Sequence, residues 1–75
     1  MPHITVELYT GRDEQTKMKI AHALSKALGE ELNMSEKMIS VAIKDIPKEN
    51  WKAEVYDRIV DPNNQEVLIK PRYDM

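Results

Sequence analysis

The chain has 75 residues, no cysteine and a formal net charge of -2, with 41% of its residues apolar and 32% charged. That is room for one domain, residues 1–75, of ordinary globular composition; disulfide staples are excluded, and no basic face of the kind a nucleic-acid module presents is visible. His3 and His22 have no cysteine companions, which argues against a zinc site, and no apolar run resembles a membrane span or a signal peptide, so a cytoplasmic location is expected.

From His3 to Tyr9 the chain alternates, with Ile4, Val6 and Leu8 facing one way and His3, Thr5, Glu7 and Tyr9 the other. A period of two with β-branched residues predicts a strand with one buried face, beginning directly after Pro2. Thr10-Gly11-Arg12-Asp13 breaks the pattern, Gly11 suiting a tight turn and Asp13 an N-cap with Glu14 in the first helical turn. Met18, Ala21, Leu24, Ala27 (or Leu28) and Leu32 then recur at helical spacing, with Lys17, Lys19, Ser25, Lys26 and Glu30 largely between them. This predicts an amphipathic helix of about five turns, closed by Asn33 as a left-handed C-cap.

Ser35 is placed to cap a short turn through Glu36 and Lys37, and a second strand is predicted from Ile39 to Ile46. Two strands joined by a long helix make a βαβ unit, so the strands should be parallel. Pro47 ends the second strand. A short helix is expected over residues 48–57, with Trp51 and Val55 one turn apart. A last helix is expected from the Asp61-Pro62 start signal to about Ile69, where Lys70-Pro71 stops it. A lone two-stranded sheet is marginal and leaves open edges. The expected remedy is a second copy completing a four-stranded sheet, in an α+β two-layer sandwich.

The residues able to carry chemistry are few. If Met1 is removed, Pro2 becomes a free secondary amine, which burial and a nearby cation would keep neutral and fit to accept a proton. Arg12 offers a planar fork suited to a carboxylate, though its turn lies at the opposite end of the strand from Pro2, so a neighbouring subunit is the natural source of that arginine. Its ordinary role would be an ion pair with Asp13 or Glu14. Trp51 suits either the wall of an apolar pocket or a core anchor. His3 borders the Pro2 position but reads more simply as a strand residue; His22 should face solvent, and Arg72 and Tyr73 belong to a loose tail unless they reach a partner or a substrate.

Pro2 opening a strand, Gly11-Arg12-Asp13-Glu14-Gln15 in the turn, Ser40-Val41 in the second strand and Trp51 five residues after Ile46 together resemble the 4-oxalocrotonate tautomerase family. The ending Leu68-Ile69-Lys70-Pro71-Arg72-Tyr73 resembles the longer C-terminus of its PptA-type subgroup. The resemblance implies a βαβ tautomerase-like fold, with the parallel strand pair completed to a four-stranded sheet by a second subunit, and a homo-oligomer, a dimer being favoured over a hexamer. It implies a cofactor-independent isomerase acting on the enols of 2-oxo acids, phenylenolpyruvate- or 2-hydroxymuconate-like. Pro2 would be the general base, Arg12 the carboxylate binder and Trp51 the pocket wall. Ser40 occupies the position where the best-known members carry a second arginine. A hydroxyl is a weaker donor than a cation, so a monocarboxylate enol is expected in preference to a dicarboxylate. The alternative is a non-catalytic binding or assembly module on the same scaffold, which retention of Met1 would favour.

Overall fold

The computed structural model describes residues 1–75. Strand β1, His3–Tyr9, runs parallel to β2, Ser40–Ile46, in a register that pairs His3 with Ser40 and Tyr9 with Ile46. Backbone bonds bracket the ladder at both ends, Ser40 N–H to Pro2 O at 3.3 Å and Thr10 N–H to Ile46 O at 3.1 Å. The parallel pairing is the one expected; β2 starts at Ser40 because Ile39 still closes the preceding turn through its N–H to Glu36 O.

Helix α1, Glu14–Leu32, connects the strands. Gly11 takes φ 134°, a conformation that a side chain rarely adopts, and so lets the chain leave β1 for the helix. Asp13 caps α1 as predicted, its Oδ1 accepting the Thr16 N–H at 2.8 Å; that bond holds its carboxyl below the ordinary aspartate range. Asn33 ends the helix at φ 54° and ψ 50°, its N–H donating to Glu30 O while Met34 N–H returns to Gly29 O. This pair of bonds satisfies carbonyls that the helix end would otherwise leave free. Gly29 is needed here for a second reason, since a Cβ would lie 2.9 Å from the Met34 carbonyl oxygen. Ser35 caps the short 3-10 turn Glu36–Met38, also as predicted.

The packed face of α1 keeps Ala21, Leu24 and Leu28 of the predicted stripe and adds Ile20, while the stripe's two ends come out exposed. Ile20, Ala21, Leu24 and Leu28 are half-buried and Ser25 and Gly29 buried, whereas Met18, Ala27 and Leu32 are exposed. Ser25 is tolerated inside because its hydroxyl donates back to His22 O, a self-contained bond that needs no tertiary partner. Lys17 lies over β2 and bridges Asp45 and Glu14, each at 3.0 Å; the Asp45 bond first and the Glu14 bond second raise its pKa. His22 is exposed, as expected.

Strand alternation puts Ile4, Val6 and Leu8 with Val41, Ile43 and Asp45 on the α1 face. The opposite face carries His3, Thr5, Glu7 and Tyr9 with Ser40, Ala42, Lys44 and Ile46. A second helical segment folds across one end of that face. It comprises a 3-10 turn, Lys48–Asn50, a wide π-type turn, Lys52–Tyr56, and the last helical turn α2, Asp57–Ile59. It therefore exists where predicted but is wider and two residues longer. Arg58 pairs with Glu7, Trp51 meets Tyr9, and Ile46 and Val55 are the two fully packed apolar side chains, 2% and 3% exposed.

The helix expected from Asp61-Pro62 to Ile69 does not form; the chain makes successive turns. Asp61 and Asn64 side chains accept the N–H groups of Asn63 and Glu66, two residues on in each case. Such local bonds compete with helix continuation. The Lys70 ammonium then gathers the carbonyls of Ile59, Asp61 and Asn64, fixing the irregular path.

The molecule is a slab of 37 × 31 × 19 Å with an accessible surface of 6018 Å². A self-sufficient folded chain of 8.7 kDa exposes about 4,700 Å². The excess, roughly 1,300 Å², exceeds the ~800 Å² that one partner contributes to an interface of standard size. Met18, Leu32, Met34 and Met38 on and after α1, and Leu68 and Ile69 on the C-terminal segment, make up much of the exposed apolar surface.

Candidate active site

The residues singled out from the sequence fall into two groups, one at each end of the sheet. At the start of β1, Pro2 is half-buried and its carbonyl accepts the Ser40 N–H. The register that pairs His3 with Ser40 brings His3 Nδ1 to 2.6 Å from Ser40 Oγ. His3 and Ser40 are thus exposed together on the half of the sheet face that the second helical segment leaves uncovered, next to the half-buried Pro2. Thr5 and Ala42, the next pair along, are exposed as well.

At the other end, Arg12 and Trp51 converge on one residue. The guanidinium of Arg12 donates to Tyr9 O at 3.0 Å, not to Asp13 or Glu14, so the N-cap carboxylate is left to the helix. The Trp51 ring stands edge-on to the Tyr9 ring, with centroids 5.0 Å apart and an interplanar angle of 80°, a favourable arrangement for aromatic quadrupoles. Trp51 Nε1–H donates to the Tyr73 hydroxyl at 3.1 Å, and the Tyr56 hydroxyl donates to Tyr73 O at 3.3 Å. The C-terminal segment is therefore seated on Trp51, and the loose tail expected from the sequence is corrected by these bonds. Trp51 is an anchor, packing on Tyr9 while its N–H holds the tail.

The sequence does not single out Tyr9 or Tyr56 as members of this cluster. Tyr9 was legible in principle, since alternation puts it on the same face as His3; nothing in the sequence announces that Tyr56 and Tyr73 would meet.

Seven strand residues at about 3.3 Å each separate the two groups by roughly 20 Å. Neither Pro2 nor Arg12 lines a depression in the chain. One groove runs between α1 and β2, past Glu14, Lys17, Met18, Ala21, Val41 and Ile43; the other, at the end of α1, is lined mainly by polar residues such as Lys26, Glu30 and Asn33. Pro2 and Arg12 of one chain are too far apart to touch one small molecule. They can act together only if one chain's Pro2 end meets another chain's Arg12 end.

A family model described as tautomerase enzyme matches residues 2–56, so that the match begins at Pro2 and takes in Arg12, Ser40 and Trp51. The chain is 36% identical over 74 residues to the tautomerase PptA of Pectobacterium carotovorum subsp. carotovorum (strain PC1), covering 97% of each. It is 30% identical over 73 residues to a probable tautomerase of Xylella fastidiosa (strain 9a5c), covering 97% of this chain and 89% of that one. Among solved structures it is similar to apo unfused 4-OT, with a TM-score of 0.62 and 35% identity over 65% of this chain and 80% of the other. It is similar also to a structure from work on the 4-oxalocrotonate tautomerase isozymes of Methylibium petroleiphilum, with a TM-score of 0.64 and 32% identity over 67% and 81%.

Proposed function

The chain belongs to the tautomerase enzyme family, and from that premise we propose that it is a cofactor-independent keto–enol tautomerase whose general base is the amine of Pro2, freed by removal of Met1. The observation that carries the reading is the placement of Pro2. It opens β1, is half-buried, and is tied to β2 through its own carbonyl, so its nitrogen has a fixed position at the edge of an ordered sheet. Met1 is 91% exposed and open to removal.

On this reading the substrate is the enol of a 2-oxo monocarboxylic acid such as phenylenolpyruvate. The neutral amine takes the enol hydroxyl proton, the oxygen's electrons form the carbonyl, and the double-bond pair takes a proton at carbon from the ammonium of Pro2. Atoms and charge balance without a cofactor. Arg12 of a neighbouring copy holds the carboxylate in its fork, and Trp51 against Tyr9 supplies the apolar wall that keeps water out and the amine unprotonated. Ser40, where better-known family members carry an arginine, leaves no second cation for a second carboxylate. Turnover of phenylenolpyruvate should therefore exceed that of 2-hydroxymuconate.

The need for a neighbour is supported by the roughly 20 Å between Pro2 and Arg12, by the open edges of the strand pair and by the surface excess. We assign a homo-oligomer in which a second copy completes a four-stranded sheet. The test is ketonisation by the Met1-free protein and its Pro2→Ala variant. A loss of about 10²–10⁴-fold is expected, the usual worth of a positioned base; an unchanged rate in a folded variant removes the assignment.

A further inference from the structure

The half-face beside Pro2 is better furnished than a spare strand end requires. His3 and Ser40 lie side by side in register, their side chains bonded at 2.6 Å, and Ser40 is held at the same time to the Pro2 carbonyl. The neighbouring positions Thr5 and Ala42 are short, so nothing bulky from the sheet shields the imidazole. The same face is covered at its other end by Arg58 on Glu7 and Trp51 on Tyr9, which stops short of His3.

The bond is compatible with either ring tautomer. In one of them the Ser40 hydroxyl, which has no other partner in the chain, donates to Nδ1. An imidazole that accepts at Nδ1 carries its hydrogen on Nε2, which then points a neutral N–H donor away from the strand pair. A donor near the substrate oxygen is what the reaction needs as that oxygen gains and loses charge.

We infer that His3, held in its Nε2–H form by Ser40, is a second substrate-contacting residue of the Pro2 site and donates a hydrogen bond to the 2-oxo oxygen of the substrate. This rests on the tautomerase reading above and adds to it the group that polarises the oxygen where no second arginine is present. No proton leaves His3 in the step; Pro2 carries both transfers. Ser40 acts through His3 and is a positioning residue.

The test uses the Met1-free protein with phenylenolpyruvate, comparing His3→Ala, His3→Gln and Ser40→Ala, with Pro2→Ala as the control for the underlying reading. A contact that strengthens as charge develops acts on kcat, so His3→Ala should lower kcat about 10–100-fold with KM changed little. His3→Gln, which keeps an N–H at similar reach, should recover most of that loss. Ser40→Ala should lower kcat several-fold, and nitrogen NMR of the ring should show the wild type as the Nε2–H form and the variant as a mixture. An Nδ1–H ring in the wild type overturns the inference. So does a His3→Ala variant with unchanged kcat, or one whose loss goes with a changed oligomer mass or circular dichroism. If Pro2→Ala is itself fully active, the tautomerase reading falls and this one with it; if Pro2→Ala is inactive and His3→Ala is not, only the role of His3 is lost.

Discussion

The two ends of the β1–β2 ladder share one register and are finished in opposite ways. At the Tyr9–Ile46 end the sheet is roofed: Ile46 and Val55 are packed, Trp51 stands on Tyr9, and Tyr73 closes over Trp51. At the His3–Ser40 end nothing from the same chain covers the polar face, and His3 and Ser40 stay open beside the half-buried Pro2. The closed end has packed apolar and aromatic side chains and the Arg12 cation, but not Pro2. The open end has the candidate base but no wall and no cation. On the proposed reading each end supplies what the other lacks, and symmetric association would bring the two together.

The largest effects are expected from the chemical groups at the two ends. Pro2→Ala and Arg12→Ala remove the key group from the open and the closed end. Each should cost ketonisation about 10²–10⁴-fold in Met1-free protein, while circular dichroism stays unchanged. Arg12→Lys should recover only part, because a point charge does not reproduce the fork. Dicarboxylate and monocarboxylate enols assayed side by side sharpen the result, since a preference for the dicarboxylate would contradict the role given to Ser40.

Stability should separate the ends as clearly. Ile46→Ala empties the packed end and should cost roughly 2–5 kcal/mol in denaturant unfolding at fixed protein concentration. Ser40→Ala at the open end should change stability far less. Tyr73→Phe removes only the acceptor of the Trp51 N–H. It should cost about 1 kcal/mol and shift tryptophan fluorescence to the red as the tail loosens.

The smallest expected effect is in acid. Asp13 is held below its ordinary range by the Thr16 N–H. Its capping contribution is therefore complete above an unfolded aspartate's pKa of about 3.9 and fades as pH falls through the lower folded value. Lys17 runs the other way, its raised pKa giving a contribution present below about 10.4 and lost as pH climbs through the folded value. Asp13→Asn should keep the cap and flatten the acid limb of a melting-temperature profile; an unaltered limb would show that other carboxylates dominate it.

Features written in local chemistry were legible in the sequence. The alternation of β1, the Asp13 cap, the left-handed Asn33 and the Ser35 turn all depend on neighbours a few residues away, and each formed as read. The face of α1 was read less well because an exposed Met18 and a buried Ser25 invert the usual polarity, Ser25 being allowed inside by its bond to His22 O. The helix after Asp61-Pro62 failed because the start signal is also an Asx-turn signal, and Asn63-Asn64 tipped the balance toward turns. The pairing of His3 with Ser40, 37 positions apart, follows from strand register, which spacing alone did not fix.

Subunit mixing decides whether the site is shared between copies. Met1-free Pro2→Ala and Arg12→Ala subunits, each inactive alone, are unfolded together and refolded in equal amounts. If one chain's Pro2 works with another chain's Arg12, half of the sites have an intact Pro2 and half of those an intact Arg12. About a quarter of wild-type activity should then return, whatever the closed symmetry. A mixture that assembles and stays inactive would place both groups in one chain's site, and the account would be wrong.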